Sequence, residues 1–316
     1  MVLGMSTAAI TVEGLTKHFG PVTAVDDLSF TVRTGAVTGF LGPNGSGKTT
    51  TLRMVLGLMR PSAGRAQVGD RPYVEHARPG RVVGAALEAS SFHPGRSGLD
   101  HLRVYAPQVG VSDARCREVI DLVGLGAAAS RRVSGYSMGM RQRLGLATAL
   151  LTDPPTIVLD EPANGLDPEG IVWLRGFLRH LAEEGRSVLV SSHVLGEVQS
   201  TVDDVVVIAR GRLVHASSLA ELADLAEHTT YVEGPDRGAV ARLLEQHGWS
   251  AEVRGAGWMV ADATAPLVGG AAHAAGVELH ELTPRGRDLE EVFLRLTAPP
   301  TTPPTTPPTT QGGDAR

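Results

Sequence analysis

At 316 residues the chain is long enough for one large domain and a small one, and 42% hydrophobic content allows a proper core. A net charge of −5 gives no general affinity for nucleic acid or anionic lipid, and the single cysteine, Cys116, excludes an internal disulfide and fits a reducing compartment. Met1 to Ile10 has no basic region followed by an apolar core, so no secretory signal is expected; nor is any stretch apolar enough to span a bilayer, since the nearest, Trp258 to Val277, carries Asp262 and His273.

The first predicted element, over residues 10–33, starts with ITVEGLTKHFG, an alternating strand that ends in a turn. Val22 to Val32 continues the sheet, with Phe19 between the two strands. Ala36 to Leu41 reads as a buried strand and Thr50 to Leu58 as a helix. Between them lies GPNGSGKTT, residues Gly42, Pro43, Asn44, Gly45, Ser46, Gly47, Lys48, Thr49 and Thr50. It fits the Walker A pattern, with Gly42, Gly47, Lys48 and Thr49 in the required places and the strand–loop–helix context present. Its glycines let backbone N–H groups converge on phosphate oxygens, and the helix adds its positive N-terminal end. Lys48 would reach the β- and γ-phosphates, and the Thr49 hydroxyl would hold Mg²⁺. Of 29 Lys and Arg residues only Lys17 and Lys48 are lysines, so a compact ammonium is kept at this loop in an arginine-using chain.

A turn and a short polar strand pair are expected to about Gly80, then a strand from Arg81 to Leu87 that ends at Glu88. A helical region follows over roughly 97–135. Its histidines, His93 and His101, have no metal-site spacing and read as surface groups or caps. Ser137 is a candidate N-cap for the helix that runs into LGLATALL. Thr156 to Leu159 is an apolar strand ending in Asp160-Glu161-Pro162. Two carboxylates at a strand end beside a P-loop form the Walker B arrangement: Asp160 for the Mg²⁺ shell, Glu161 to orient or deprotonate the attacking water. A helix is expected from Glu169 to Glu184 and a buried strand from Ser187 to Ser191. His193 then lies past that strand's C-terminal end, where a parallel sheet places ligand groups. Asp204 to Ala209 and Gly211 to His215 form a hairpin.

From Thr229 the character changes. Strands at Thr230–Glu233, Ala251–Arg254, Trp258–Ala261 and Val277–Leu282 alternate with helices at Asp236–His247, Pro266–Ala275 and Asp288–Thr297. The last helix has Leu289, Val292, Phe293 and Leu296 on one side. This β-α-β-β-α-β-α order suggests a small ferredoxin-like domain. The PPTT repeats near the C-terminus are compositionally disordered. The expected organisation is an α/β P-loop core with a mostly parallel sheet and a helical subdomain over 1–225, a small α+β unit over 226–298, and a Pro/Thr-rich tail over 299–316.

The motif series resembles the nucleotide-binding subunit of ATP-binding cassette (ABC) transporters, over about residues 10–225. The resemblance implies that Phe19 stacks on adenine and that Glu88, at the Q-loop, offers an oxygen to Mg²⁺ or water. It places Ser137 to Met140 at the signature, Asp167 at the D-loop, and His193 as the switch histidine that contacts the γ-phosphate. Glu161, His193 and Lys48 would then be the catalytic set, and Thr49, Asp160 and Glu88 the metal set. Two cassettes of this family pair head to tail, which implies a homodimer in which Ser137 and Gly139 act in trans on ATP held by the other copy. Two departures stand out: YSMGM replaces the usual LSGGQ, and Glu88 stands where Gln is common.

YSMGMRQRL and ANGLDPEGI are similar to the export-type branch that includes bacitracin-resistance and lantibiotic-immunity transporters. The resemblance therefore implies the ATP-binding and ATP-hydrolysing subunit of a bacterial exporter of an antibiotic, peptide or other small molecule. It would sit peripherally on the cytoplasmic face of the plasma membrane, using ATP and Mg²⁺ to drive a separate membrane permease, with no nucleic-acid partner. The alternative is a non-transport ABC ATPase in translation or DNA repair. Such members carry two cassettes, a long coiled coil between Walker A and the signature, or several cysteines. Here there is one P-loop, a short helical span and one cysteine. A P-loop kinase or small GTPase would lack the signature and D-loop series.

Overall fold

The computed structural model describes residues 8–87, 92–225, 229–285 and 289–298. Glu88 and the tail over 299–316 lie outside the described residues. The chain opens with two long strands, β1 (Ala8–Phe19) and β2 (Val22–Arg33). Then come β3 (Val37–Leu41), α1 (Lys48–Val55), β4 (Ala63–Val68) and β5 (Val83–Ala86). Where a polar strand pair was expected, a single strand, β4, is followed by two 3-10 turns, Tyr73–Glu75 and Pro79–Arg81. Pro72 and Pro79 stand at their starts, where a fixed φ favours a turn and a missing N–H cannot join a ladder.

Three helices come next: α2 (Gly98–Val109), α3 (Asp113–Leu122) and α4 (Met138–Leu150). Then β6 (Thr156–Leu159), α5 (Pro168–Glu183), β7 (Ser187–Ser192), the one-turn α6 (Leu195–Val198), β8 (Asp204–Ala209), β9 (Arg212–Ser218) and α7 (Leu219–Asp224) complete the main unit. Its central sheet has the order β5-β6-β7-β3-β8-β9; all pairs are parallel except β8–β9. A second, antiparallel sheet has the order β2-β1-β4.

The central strands are buried on both faces and mostly apolar, with Thr38, Thr156, Ser187, Ser191 and Ser192 as buried polar exceptions. Val37, Ile157, Val188, Val190, Val205 and Val207 face a core shared with the helices. The alternate residues Phe40, Val158, Leu189, Val206 and Ile208 face a second core, filled by β1, β2 and α1. The P-loop helix is thereby clamped between the two sheets by Leu52, Met54 and Val55.

The small unit follows the main one: β10 (Thr229–Glu233), α8 (Arg237–Gln246), β11 (Ala251–Arg254), β12 (Gly257–Val260), α9 (Ala265–Ala274) and β13 (Glu281–Arg285). Its antiparallel sheet has the order β11-β12-β10-β13, which is the ferredoxin-like arrangement. Its core holds Val232, Val240, Leu244, Trp258, Val260 and Val268. The last strand lies further along than the expected Val277–Leu282, and it contains Pro284. As the sheet's edge strand it tolerates that proline. The last helix, α10 (Leu289–Thr297), does not stay with this unit. Val292 and Phe293 are buried in the main unit's helical-side core, and the helix lies against α6, α7, β8 and β9.

Candidate functional site

Walker A occupies the gap past the C-terminal end of β3, the middle strand between β7 and β8. Two of its glycines are sterically required. A Cβ on Gly42 would sit 2.4 Å from the Ile208 carbonyl oxygen and 2.5 Å from Ser46 Oγ. Gly47 has φ 103°, and its Cβ would sit 2.6 Å from the Ala24 carbonyl oxygen. Pro43, Asn44 and Gly45 are exposed at the tip, Thr50 is half-buried in the first turn of α1, and Ser46 is buried with its hydroxyl free of any protein partner. Lys48, 6% exposed, donates to the Gly42 carbonyl at 2.6 Å and stands 3.2 Å from Glu161 Oε1. A buried ammonium, an unpartnered hydroxyl and a helix N-terminus without an acidic residue fit a polyphosphate.

The carboxylates arrive on the neighbouring strand β6. Thr49 Oγ1 donates to Asp160 Oδ2 at 2.7 Å, so the hydroxyl and carboxylate expected to share a metal ion are adjacent. Among the described residues no cluster of three His, Cys, Asp or Glu side chains could hold a metal alone. One hydroxyl, one carboxylate and substrate phosphates suit Mg²⁺, which keeps several waters and few protein ligands.

Glu161 is held on three sides. His193 Nδ1 donates to its Oε2 at 2.8 Å, Lys48 faces its Oε1, and its backbone N–H donates to Ser191 Oγ at 2.9 Å. Its φ is 49°, a left-handed backbone that costs a non-glycine residue on the order of 1–2 kcal/mol. Ser191 is the tie that sequence reasoning missed. Fully buried on β7, it also donates to Asp160 Oδ1 at 2.5 Å, so one hydroxyl fixes both carboxylate positions. No motif marks it. Its position at the C-terminal end of a strand paired with β6 was the only available signal.

The other expected residues fall into two groups. Phe19 ends β1, where it is 47% exposed with Lys17 Nζ 5.2 Å from its ring centroid; it pairs with Val22 at the start of β2, and further along that strand the Ala24 carbonyl approaches Gly47. Ser137, Gly139 and Asp167 belong elsewhere. Ser137 is exposed and caps α4, accepting from Met140 N at 3.2 Å, as its sequence position predicted. Asp167 caps α5 through a 2.8 Å bond from Gly170 N. Together with Met138, Gly139 and Leu166 they line a cavity of about 470 Å³ bounded by Trp173 and Arg143, whose guanidinium stacks 3.9 Å above the indole. Met138 packs so closely on Gly165 that a Cβ there would lie 2.8 Å from its Cγ. Among the described residues no hydrogen bond or ion pair of Ser137 reaches the P-loop of the same chain.

His93 is a local cap, accepting from Gly95 N at 3.2 Å. His101, expected at the surface, is instead 4% exposed between the Phe92 and Tyr105 rings. Burial, reinforced by nearby Arg96, pushes its pKa down to about 4.

A family model described as ABC transporter matches residues 25–164, and a model described as a domain of unknown function matches residues 228–290. An ABC transporter ATP-binding protein of Bacillus subtilis, YhcH, is 38% identical over 291 residues, covering 90% of this chain and 94% of that protein. The chain belongs to the ABC transporter ATP-binding family. The bacitracin transport ATP-binding protein BcrA of Bacillus licheniformis is 36% identical over 77% of this chain and 80% of its own length. The Nod factor export ATP-binding protein I of Ralstonia nicotianae is 35% identical over 92% of this chain and 94% of its own. A solved ATP-binding subunit of an ABC transporter superposes with TM-score 0.61 at 25% identity, covering 68% of this chain and 92% of that one. A dimeric cassette bound to ADP and phosphate shares the fold, with TM-score 0.61 at 20% identity over 66% of this chain and 98% of that one. Those matched spans of about two-thirds are consistent in size with the main unit, the ATP-binding cassette proper. Among the described residues no helix is long and apolar enough to cross a membrane.

Proposed function

We propose that this cassette binds ATP with Mg²⁺, hydrolyses it in a head-to-tail homodimer, and drives a separate membrane permease of an exporter from the membrane's cytoplasmic face. The observation that carries the reading is Glu161, strained in its backbone and gripped by Lys48, His193 and Ser191 beside the Thr49–Asp160 pair. Gly42 to Thr50 cradle the phosphates, and Lys48 exchanges part of its contact with Glu161 for the β- and γ-phosphate oxygens. Thr49 and Asp160 would hold the Mg²⁺, which would supply positive charge against the phosphate oxygens. Glu161, released from Lys48, orients the attacking water and takes its proton. His193 steadies Glu161 and reaches the γ-phosphate, while Phe19 offers its exposed ring to the adenine.

The second copy supplies Ser137 and Gly139, a hydroxyl and a close backbone approach over the same ATP, and the exposed signature turn fits that role. Asp167 lies beside it on the same face. The exporter reading, with a peptide antibiotic or other small molecule as cargo, rests on the bacitracin-transport and Nod-factor-export relatives. The test is Glu161→Gln expressed with the cell's own membranes. Hydrolysis should fall about 10²–10⁴-fold while ATP binding persists, and a polytopic membrane protein should co-purify in near-equal amount. Recovery with ribosomes or DNA instead would favour a non-transport cassette.

A further inference from the structure

The switch histidine stands on a weakly supported piece of backbone. His193 lies between β7 and α6, and α6 is a single turn with no side-chain cap. One turn cannot hold itself in water. Local bonds help: Ser192 Oγ accepts from Val194 N at 3.0 Å and donates towards Glu197 Oε2 at 2.9 Å. From α5, Arg175 donates to the carbonyls of Gly196 at 2.7 Å and Glu197 at 2.9 Å. These bonds fix the outer side of the turn. Its inner side is apolar: Leu195 and Val198 are buried in a core that also contains Val292 and Phe293 of α10. The helix's apolar stripe, Leu289, Val292, Phe293 and Leu296, is the face turned to that core, and Leu294, off the stripe, is 61% exposed.

We propose that α10 is a positioning element for catalysis: Val292 and Phe293 seat α6 and thereby hold His193 against Glu161. The inference rests on the proposed role of His193. It gives the small C-terminal unit a physical connection to the nucleotide site. The connection runs through α10, which follows β13 and packs on the cassette. Arg210 adds a further tie, donating to the Ala298 carbonyl at the helix end at 3.3 Å. Phe293 is a positioning residue: buried in the core behind α6, it acts through that turn.

The test is a double-mutant cycle in the full chain, with Phe293→Ala, Phe293→Leu, His193→Ala and Phe293→Ala/His193→Ala, measuring kcat and KM for Mg-ATP with a thermal melt of each variant. Phe293→Ala should lower kcat by between about 5- and 100-fold, as misplacement of a catalytic group does, with KM within about twofold. Phe293→Leu should restore most of it, and Phe293→Ala should cost nothing further in the His193→Ala background. Equal losses in both backgrounds, or a loss that only tracks the melted fraction, would overturn the proposal while leaving the site reading intact. Wild-type hydrolysis by His193→Ala would sink the site reading itself. Val292→Ala, a smaller cavity, runs the same cycle should Phe293→Ala not fold.

Discussion

The two halves of the proposed nucleotide site are built in opposite ways. At the C-terminal edge of the central strands, Lys48, Thr49, Asp160, Glu161, Ser191 and His193 are bonded to one another within one chain and partly or wholly buried. At the signature and D-loop, Ser137 and Asp167 are exposed and spend their polar atoms capping their own helices. The first half is preorganised by folding; the second is a surface whose chemistry waits for another surface. On the proposed reading, such a chain holds nucleotide in its first half and completes the site only when a second copy arrives.

That contrast can be broken at its tightest point. Ser191→Ala removes the hydroxyl that fixes both Asp160 and the Glu161 backbone, so hydrolysis should fall by about 10- to 100-fold. Stability should fall by about 1–3 kcal/mol for the partners left buried. Steady-state kinetics and denaturant melts would check both. Unchanged kcat would mean that the ties among Asp160, Glu161 and His193 do not depend on this bridge.

The helical half can be loosened selectively. His101 is held neutral, with a folded pKa of about 4 against an ordinary value of 6.5. The unfolded chain therefore binds the extra proton between those values, so stability is full above about pH 6.5 and falls as pH drops towards 4. The loss is on the order of 3 kcal/mol at most. Amide protection, taken relative to the intrinsic exchange rate at each pH, should fall across α2 and α4 at pH 5 before that of β3, β6 and β7, and His101→Phe should flatten the difference.

The smallest effect is expected at position 88. Glu88→Gln retains an oxygen for metal or water and should keep substantial transport-coupled ATPase activity. Complete loss would assign the carboxylate a role of its own.

The sheet-edge half was legible in the sequence because its chemistry is local. Walker A needs glycines and a lysine at fixed spacing in one turn, and Asp160-Glu161 closes an apolar strand. Ser137 was legible as a cap for the same reason, whereas the capping role of Asp167 emerged only in the structure. What could not be read was long-range. Ser191 is an ordinary strand serine until β7 lies beside β6. His101 looked like a surface group because helical spacing does not tell which face of α2 the rest of the chain will cover. The stripe on α10 was plain, but periodicity says only that a face is buried, not that its cover lies across the chain at α6 rather than next door in the small sheet. The final strand was expected at Val277–Leu282 and lies instead at Glu281–Arg285, where its edge position accommodates Pro284.

The central claim is that the site is split between two copies. Lys48→Ala and Ser137→Ala chains should each be nearly inactive alone, one lacking the phosphate clamp and the other the closing hydroxyl. Mixed in equal amounts, they should regain roughly a quarter of the wild-type rate, since half the pairs are mixed and each mixed pair has one intact composite site. If the mixture is no faster than the mean of its parts, or Ser137→Ala alone hydrolyses ATP like the wild type, then the signature does not act across the pair and this account of the site is wrong.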